Sequence, residues 1–282
     1  MPTFNQLVRD RAARLNRAPQ ALLTRVDRIQ KSALQTVIEL LGSLERDGDT
    51  IIRNASNLAK SAEITNALKG ILTGKEYLSA LAEFASEFDK TKVANDKIFA
   101  KTFPDFTTNE VADLTLQQSK AYAVELLAGA TAQTGFLLPL RGAIEQAVTS
   151  GASWQQTLKQ MSTLINGDAD VLGKLEQHVK QVAWDSLAVA DRSYSFSVAD
   201  DLGAEWFLYA GTEIQTTREF CQERVGKYFR RAEIESWANL DWAGKMQDTT
   251  NSTTIFQNLG GWNCRHVLVP VSAAIVPDEF KK

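Results

Sequence analysis

Cys221 and Cys264 are the only cysteines, and His178 and His266 the only histidines, among 282 residues. That is little material for a multi-ligand metal centre or for Cys–His catalysis. No Gly-x-Ser-x-Gly elbow, phosphate-cradling Gly-rich loop or His-Glu-x-x-His motif occurs. Gly260-Gly261 is a lone turn before a strand, too short to bind a nucleotide. The expectation is a protein with no catalytic residues and no cofactor, not an enzyme. His178, between Gln177 and Val179 in a helical stretch, reads as a polar-face residue.

Arginines are the next candidates. Arg218 and Arg265 could contact a partner carboxylate or DNA phosphate. The favoured reading is an internal clamp, in which guanidinium forks tie loop carbonyls or Glu205 together. Arg9, Arg11, Arg14 and Arg17 make the N-terminus locally basic and are candidates for contact with DNA or an acidic partner. A solvated helix face explains them more simply. The net charge of -3 gives no global basic field.

The elements that must position these residues are mostly helices. With 44% hydrophobic and 23% charged residues the chain can bury a core. No apolar run approaches the ~20 residues of a membrane span, and the N-terminus lacks the apolar core of a signal peptide. Leu22, Leu23, Val26, Ile29, Leu34, Val37, Ile38, Leu41 and Leu44 recur at helical spacing over 20–47, with Gly48 as the stop. A second helix is expected over 56–72, ending at Gly74. A third carries Tyr77, Leu78, Leu81, Phe84 and Phe88 on one face. Residues 89–109 read as a break, and Thr108-Asn109-Glu110 as a new start. Further helices are expected over 111–128, over 136–150 with Gly151 as the stop, and from Ser153 to Gly167. A last, longer one begins at Asp168 or Asp170. After Asp201 come a strand at 205–210, a short helix ended by Gly226, a polar stretch at 241–261, and a closing strand that Pro270 confines to an edge or an end. The expected fold is mainly α, a multi-helix N-terminal region with a small α+β C-terminal domain. The boundaries are 1–130 for the helical region, 131–200 for linking helices and 201–282 for the α+β domain.

One constellation in the C-terminal part is specific. It runs Glu205-Trp206, Gly211, Thr217-Arg218-Glu219-Phe220-Cys221, Gly226-Lys227, Gly260-Gly261-Trp262-Asn263-Cys264-Arg265-His266, Pro270. This order resembles the phage Mu F-like minor head proteins, the phage head morphogenesis domain. The resemblance covers about 130–275, including Asp185-Ser186-Leu187 in the helix that leads into the domain. Trp206, Arg218, Cys221, Gly226, Asn263, Cys264, Arg265 and His266 are its structural motif. Two positions depart from the commonest pattern: many relatives have His at 221 and Cys at 266.

The resemblance implies a structural component of a tailed-phage virion, assembled in the host cytoplasm and present in several copies. It would act at or near the portal vertex in head assembly, DNA packaging or ejection. Portal and capsid proteins would be its partners, with packaged DNA a further candidate and no membrane. Alternatives are a DNA-binding packaging accessory, or a toxin or nuclease carried on such a domain. The pattern also implies that the helix holding Cys221 and the final strand lie close. Cys221, Cys264 and His266 would then converge. Zinc would need a fourth donor such as Glu219 or Glu223. A disulfide is disfavoured by cytoplasmic assembly, and buried packing is the favoured reading. Cys264 and His266 share a side only if their strand is regular, so the expectation places His266 opposite Cys264 or turned along the strand.

Overall fold

The computed structural model describes residues 2–281. It is mainly helical with one three-stranded sheet and one small hairpin. The chain packs as two compact units interleaved in sequence. One comprises 2–19, 85–123 and 184–281, the other 20–84 and 124–183. These packing borders differ from the sequential borders expected at 130 and 200. They fall inside helices, where nothing in composition marks them.

The unit of 20–84 and 124–183 holds most of α1 (Phe4–Gly42), the hairpin β1 (Arg46–Asp47) and β2 (Thr50–Ile51), and α2 (Ala55–Thr73). The expected stripe is real: Leu22, Leu23, Val26, Ile29, Val37, Leu41 and Leu44 are buried. The helix nevertheless begins well before residue 20 and runs through Pro19. It ends at Gly42, and Gly48 instead takes φ +58 in the hairpin turn, a conformation glycine adopts without strain. Asn54 caps α2, its Oδ1 accepting from the Asn57 N–H at 2.8 Å. The weak point between Gly129 and Gly135 is the short α5 (Ala130–Ala132) and a π-helical turn over Gln133–Leu137. α6 (Leu138–Ser150) ends at Gly151 as expected. Ser153 caps α7 (Trp154–Asn166) through the Gln156 N–H at 3.2 Å. Asp168 does not start the next helix. Its carboxylate accepts from the Asp170 and Val171 N–H groups, each at 3.0 Å, and so holds a turn. α8 (Lys174–Asp201) begins later. His178 is half-buried, its Nε2 2.8 Å from the Leu126 carbonyl, in keeping with a polar structural role.

The other unit contains the first turns of α1 and most of α3 (Lys75–Thr102) and α4 (Glu110–Ala128). The break expected over 89–109 is mostly helix. Phe88, Thr91, Asn95, Ile98 with its neighbour Phe99, and Thr102 are buried along one face of the helix. Three of them are polar, so the stripe is invisible to a hydrophobic pattern. Only 103–109 is irregular, and Asn109 starts α4 by accepting from the Ala112 N–H at 2.9 Å.

The sheet has the order β4-β3-β5 and is antiparallel throughout, with β3 at Trp206–Ala210, β4 at Tyr228–Arg230 and β5 at Val267–Val271. The closing strand therefore joins the strand at 206–210. Pro270 lies opposite Phe207 on an edge strand, where its missing N–H does least harm. The short helices α9 (Glu219–Gln222), α10 (Arg231–Ser236) and α11 (Ile255–Asn258) flank the sheet. Phe207, Tyr209, Phe220, Ile234, Trp237 and Phe256 form its core.

Candidate metal centre

α9 follows its cap residue Arg218 and runs for about one turn, which puts Phe220 and Cys221 on its buried side. Gly226, at φ +79, turns the chain back toward β4. At the other end of the unit, Asn263 adopts φ +56, a left-handed conformation asparagine tolerates better than most residues. Its N–H donates to the Asp185 carboxylate at 2.9 Å. The turn is closed by the Cys264 N–H bonding to the Gly261 carbonyl at 3.1 Å. β5 starts only at Val267, so Cys264 and His266 sit on a turn and not on a regular strand.

These two devices bring the three soft ligands together. Cys221 and Cys264 are free, buried thiols with sulfurs 4.0 Å apart. His266 is buried, with Nδ1 3.8 Å from the Cys264 sulfur. All three ligand atoms lie within 4.8 Å of one another. Of the two placements expected for His266, the one on the face opposite Cys264 is not observed, for its ring turns toward the Cys264 sulfur. The turn at Asn263, and not strand alternation, brings the two side chains together. Glu219 and Glu223 stand outside the cluster, both exposed, and Glu223 pairs with Arg224 at 3.2 Å.

The surroundings favour negative charge on the Cys264 sulfur. Tyr209 donates its hydroxyl to the Cys221 sulfur at 3.2 Å. The Cys264 thiol is held well below the usual thiol range, chiefly by the hydrogen bond from Cys221, with Arg192 and His266 adding to it against the effect of burial. Cys221 moves up because it gives that hydrogen bond and is buried. A Cβ at Gly260 would stand 2.6 Å from one sulfur and 2.8 Å from the other, so glycine keeps this space open. Asp185 sits nearby with its carboxyl raised, mainly by burial.

The clamp expected of Arg218 and Arg265 is built largely by a different residue. Arg192, buried on α8, donates from Nε to the His266 carbonyl at 3.0 Å and from Nη1 to the Gln257 carbonyl at 2.7 Å. Its Nη2 bonds the Cys264 carbonyl. Arg218 ties one carbonyl, that of Trp262, at 2.6 Å. The Arg265 guanidinium lies 5.3 Å from the Trp184 ring centre. Glu205 is used through its backbone, accepting from the Arg231 N–H at 2.9 Å. Trp206 is buried beneath the Arg230 guanidinium, 4.9 Å from its ring centre.

The basic N-terminal residues do not act as a set. Arg11 is fully buried in a bidentate pair with Asp191, at 2.9 and 2.6 Å, so it is withdrawn from any DNA or partner contact. Arg14 pairs with Glu87 at 2.9 Å. Arg9 and Arg17 are exposed.

Comparison with known proteins adds no relative: no family model, curated protein or solved structure matches the chain.

Proposed function

We propose that this protein is a structural component of a tailed-phage head, acting at or near the portal vertex in assembly, DNA packaging or ejection. One observation carries the reading. Arg218, Gly226, Asn263, Cys264, Arg265 and Pro270, spread over more than fifty positions, surround a single three-stranded sheet. The order of the motif along the chain thus has a compact physical counterpart. The proposed role is interaction, with portal and capsid proteins as partners, and it is not catalysis.

A second feature supports an interaction role. On α4, Val111, Leu114 and Tyr122 are 66%, 57% and 65% exposed. Their spacing puts them on one helical face. The helical run Glu110–Ser150 includes an 18-residue window of mean hydropathy 1.2, of which 33% is buried. That corrects the expectation that no run has the length and composition to cross a membrane. We read the α4 face as covered by protein, because Glu110, Asp113, Lys120 and Glu125 lie on the same helix and charges at bilayer depth are costly.

The test is mass spectrometry of purified heads and proheads. The protein should appear at low copy relative to the major capsid protein, and its absence from both particles would sink the proposal. The double variant Val111→Glu/Leu114→Glu should fold with stability within about 1 kcal/mol of wild type, since both positions are exposed. Its incorporation should fall by roughly tenfold or more, a loss of about 1.4 kcal/mol of binding. Unchanged incorporation would remove α4 from the interface.

A further inference from the structure

We propose that Cys221, Cys264 and His266 bind one zinc ion whose fourth coordination position opens into the adjoining pocket. The inference rests on the geometry of this cluster and is independent of the head-protein reading.

Bond lengths decide whether the triad can close on a metal. With zinc–sulfur bonds of about 2.3 Å, zinc–nitrogen bonds of about 2.0–2.1 Å and tetrahedral angles, the sulfurs lie about 3.8 Å apart. Sulfur and nitrogen then lie about 3.5 Å apart. The observed separations are 4.0 Å between sulfurs and 3.8 Å between the Cys264 sulfur and His266 Nδ1. These two pairs close on zinc with shifts of a few tenths of an ångström, and the third, Cys221 to His266, lies within 4.8 Å and closes by roughly 1 Å, within reach of a side-chain rotation. A disulfide requires sulfurs about 2.05 Å apart, so each side chain would have to swing much further. Plain packing accounts for the thiols but not for the imidazole. His266 is 4% exposed, and its Nε2 is buried with no hydrogen-bond partner among the described residues. A buried polar ring with one nitrogen aimed at sulfur and the other unpartnered is costly in an apolar core. A metal bond to Nδ1 would replace its weak 3.8 Å contact with sulfur, while Nε2 stays as it is.

Charge and space agree. Two thiolates neutralise Zn²⁺, so the buried unit carries no net charge. The Tyr209 hydroxyl donates to the Cys221 sulfur, the kind of outer contact that orients a metal thiolate. Gly260 leaves the room beside both sulfurs that a side chain would fill. Among the described residues no carboxylate joins the cluster, which ends at three ligands. Beside it lies a pocket of about 210 Å³ lined by Thr212, Thr217, Arg218 and Asn263 as well as the triad. Zinc with three protein ligands and an open position binds water or an exchangeable donor.

The experiment uses the full chain, expressed with zinc and purified without chelator under reducing conditions. Elemental analysis should give about one zinc per chain. Cys264→Ser and His266→Ala should each reduce it to roughly a tenth or less. Because those variants risk unfolding, the wild type is also stripped with chelator and titrated with Co²⁺. Thiolate-to-cobalt charge transfer and tetrahedral d–d bands should appear at one equivalent. Added azide should shift the d–d bands, reporting the open position. Zinc-free protein that gives no cobalt–thiolate bands would overturn the site, as would full metal retention in both variants. A Cys221–Cys264 disulfide that persists under these reducing conditions would also overturn it. Cobalt bands insensitive to azide would overturn the open position.

Discussion

Asp191→Leu is expected to destabilise the protein by about 3–5 kcal/mol, because it leaves the Arg11 guanidinium charged, buried and without its counter-ion. Both side chains are fully inaccessible, and the pair is bidentate. The carboxylate also accepts from Asn95 Nδ2 at 2.8 Å, and Arg11 Nη2 bonds Ser195 Oγ at 2.7 Å. Arg11 Nη1 already has no partner among the described residues, so the network has no reserve to absorb a loss. A typical domain has only about 5–15 kcal/mol in total, so the single variant should melt at markedly lower urea. The double variant Arg11→Met/Asp191→Leu removes both charges and keeps volume. It should recover most of the loss, to within about 1–2 kcal/mol of wild type. Equal destabilisation of single and double variants would show that packing, not charge, holds these helices. A single variant within about 1 kcal/mol of wild type would show that water reaches the site.

This network also marks the limit of what the sequence reveals. Helix stops and starts carried by local chemistry are legible: Asn109, Gly151, Ser153 and Gly167 do what their types imply. The strand at 206–210 and the edge position of Pro270 are legible because aromatic runs and a missing N–H have few solutions. The stretch 89–102 is not, because its buried face is partly Thr91, Asn95 and Thr102. Asn95 is satisfied by Asp191 and Ser195, about a hundred positions away, and Thr102 bonds its own helix, while the Thr91 hydroxyl has no partner among the described residues. Arg11 shows the same failure from the other side. A basic N-terminus suggests solvent, and only the distant Asp191 makes burial of Arg11 tolerable.

The candidate centre divides in the same way. Cys221, Cys264 and His266 stand out by rarity, and their juxtaposition follows the order of the motif. The residues that hold them together do not stand out. Asp185 and Arg192 lie on one long helix, and Arg192 follows Asp191 in the otherwise apolar and small run Leu187–Ala190 and onward to Ser195. Two adjacent charges within such a run are a usable warning of burial. Side-chain types alone do not say which partner each one meets.

Arg192→Ala should have the second large effect. The guanidinium spreads its donors over the carbonyls of Gln257, Cys264 and His266, which belong to two separate parts of the C-terminal stretch. Hydrogen bonds to charged groups contribute about 1.5–3 kcal/mol each, and buried carbonyls left unpaired add their own penalty. Allowing for non-additivity, a loss of about 3–5 kcal/mol follows. Arg192→Lys separates charge from shape. An ammonium on a flexible stem supplies a point charge but not three donors in fixed directions. The lysine variant should therefore recover less than about half of the loss. Amide hydrogen exchange should localise the change, with faster exchange over 257–268 in both variants and little change in α2 or α7. Full rescue by lysine would mean that charge alone holds the segment. Unchanged exchange at Cys264 and His266 would mean that the turn at Asn263 and the β3–β5 ladder suffice, and that Arg192 braces a structure already formed.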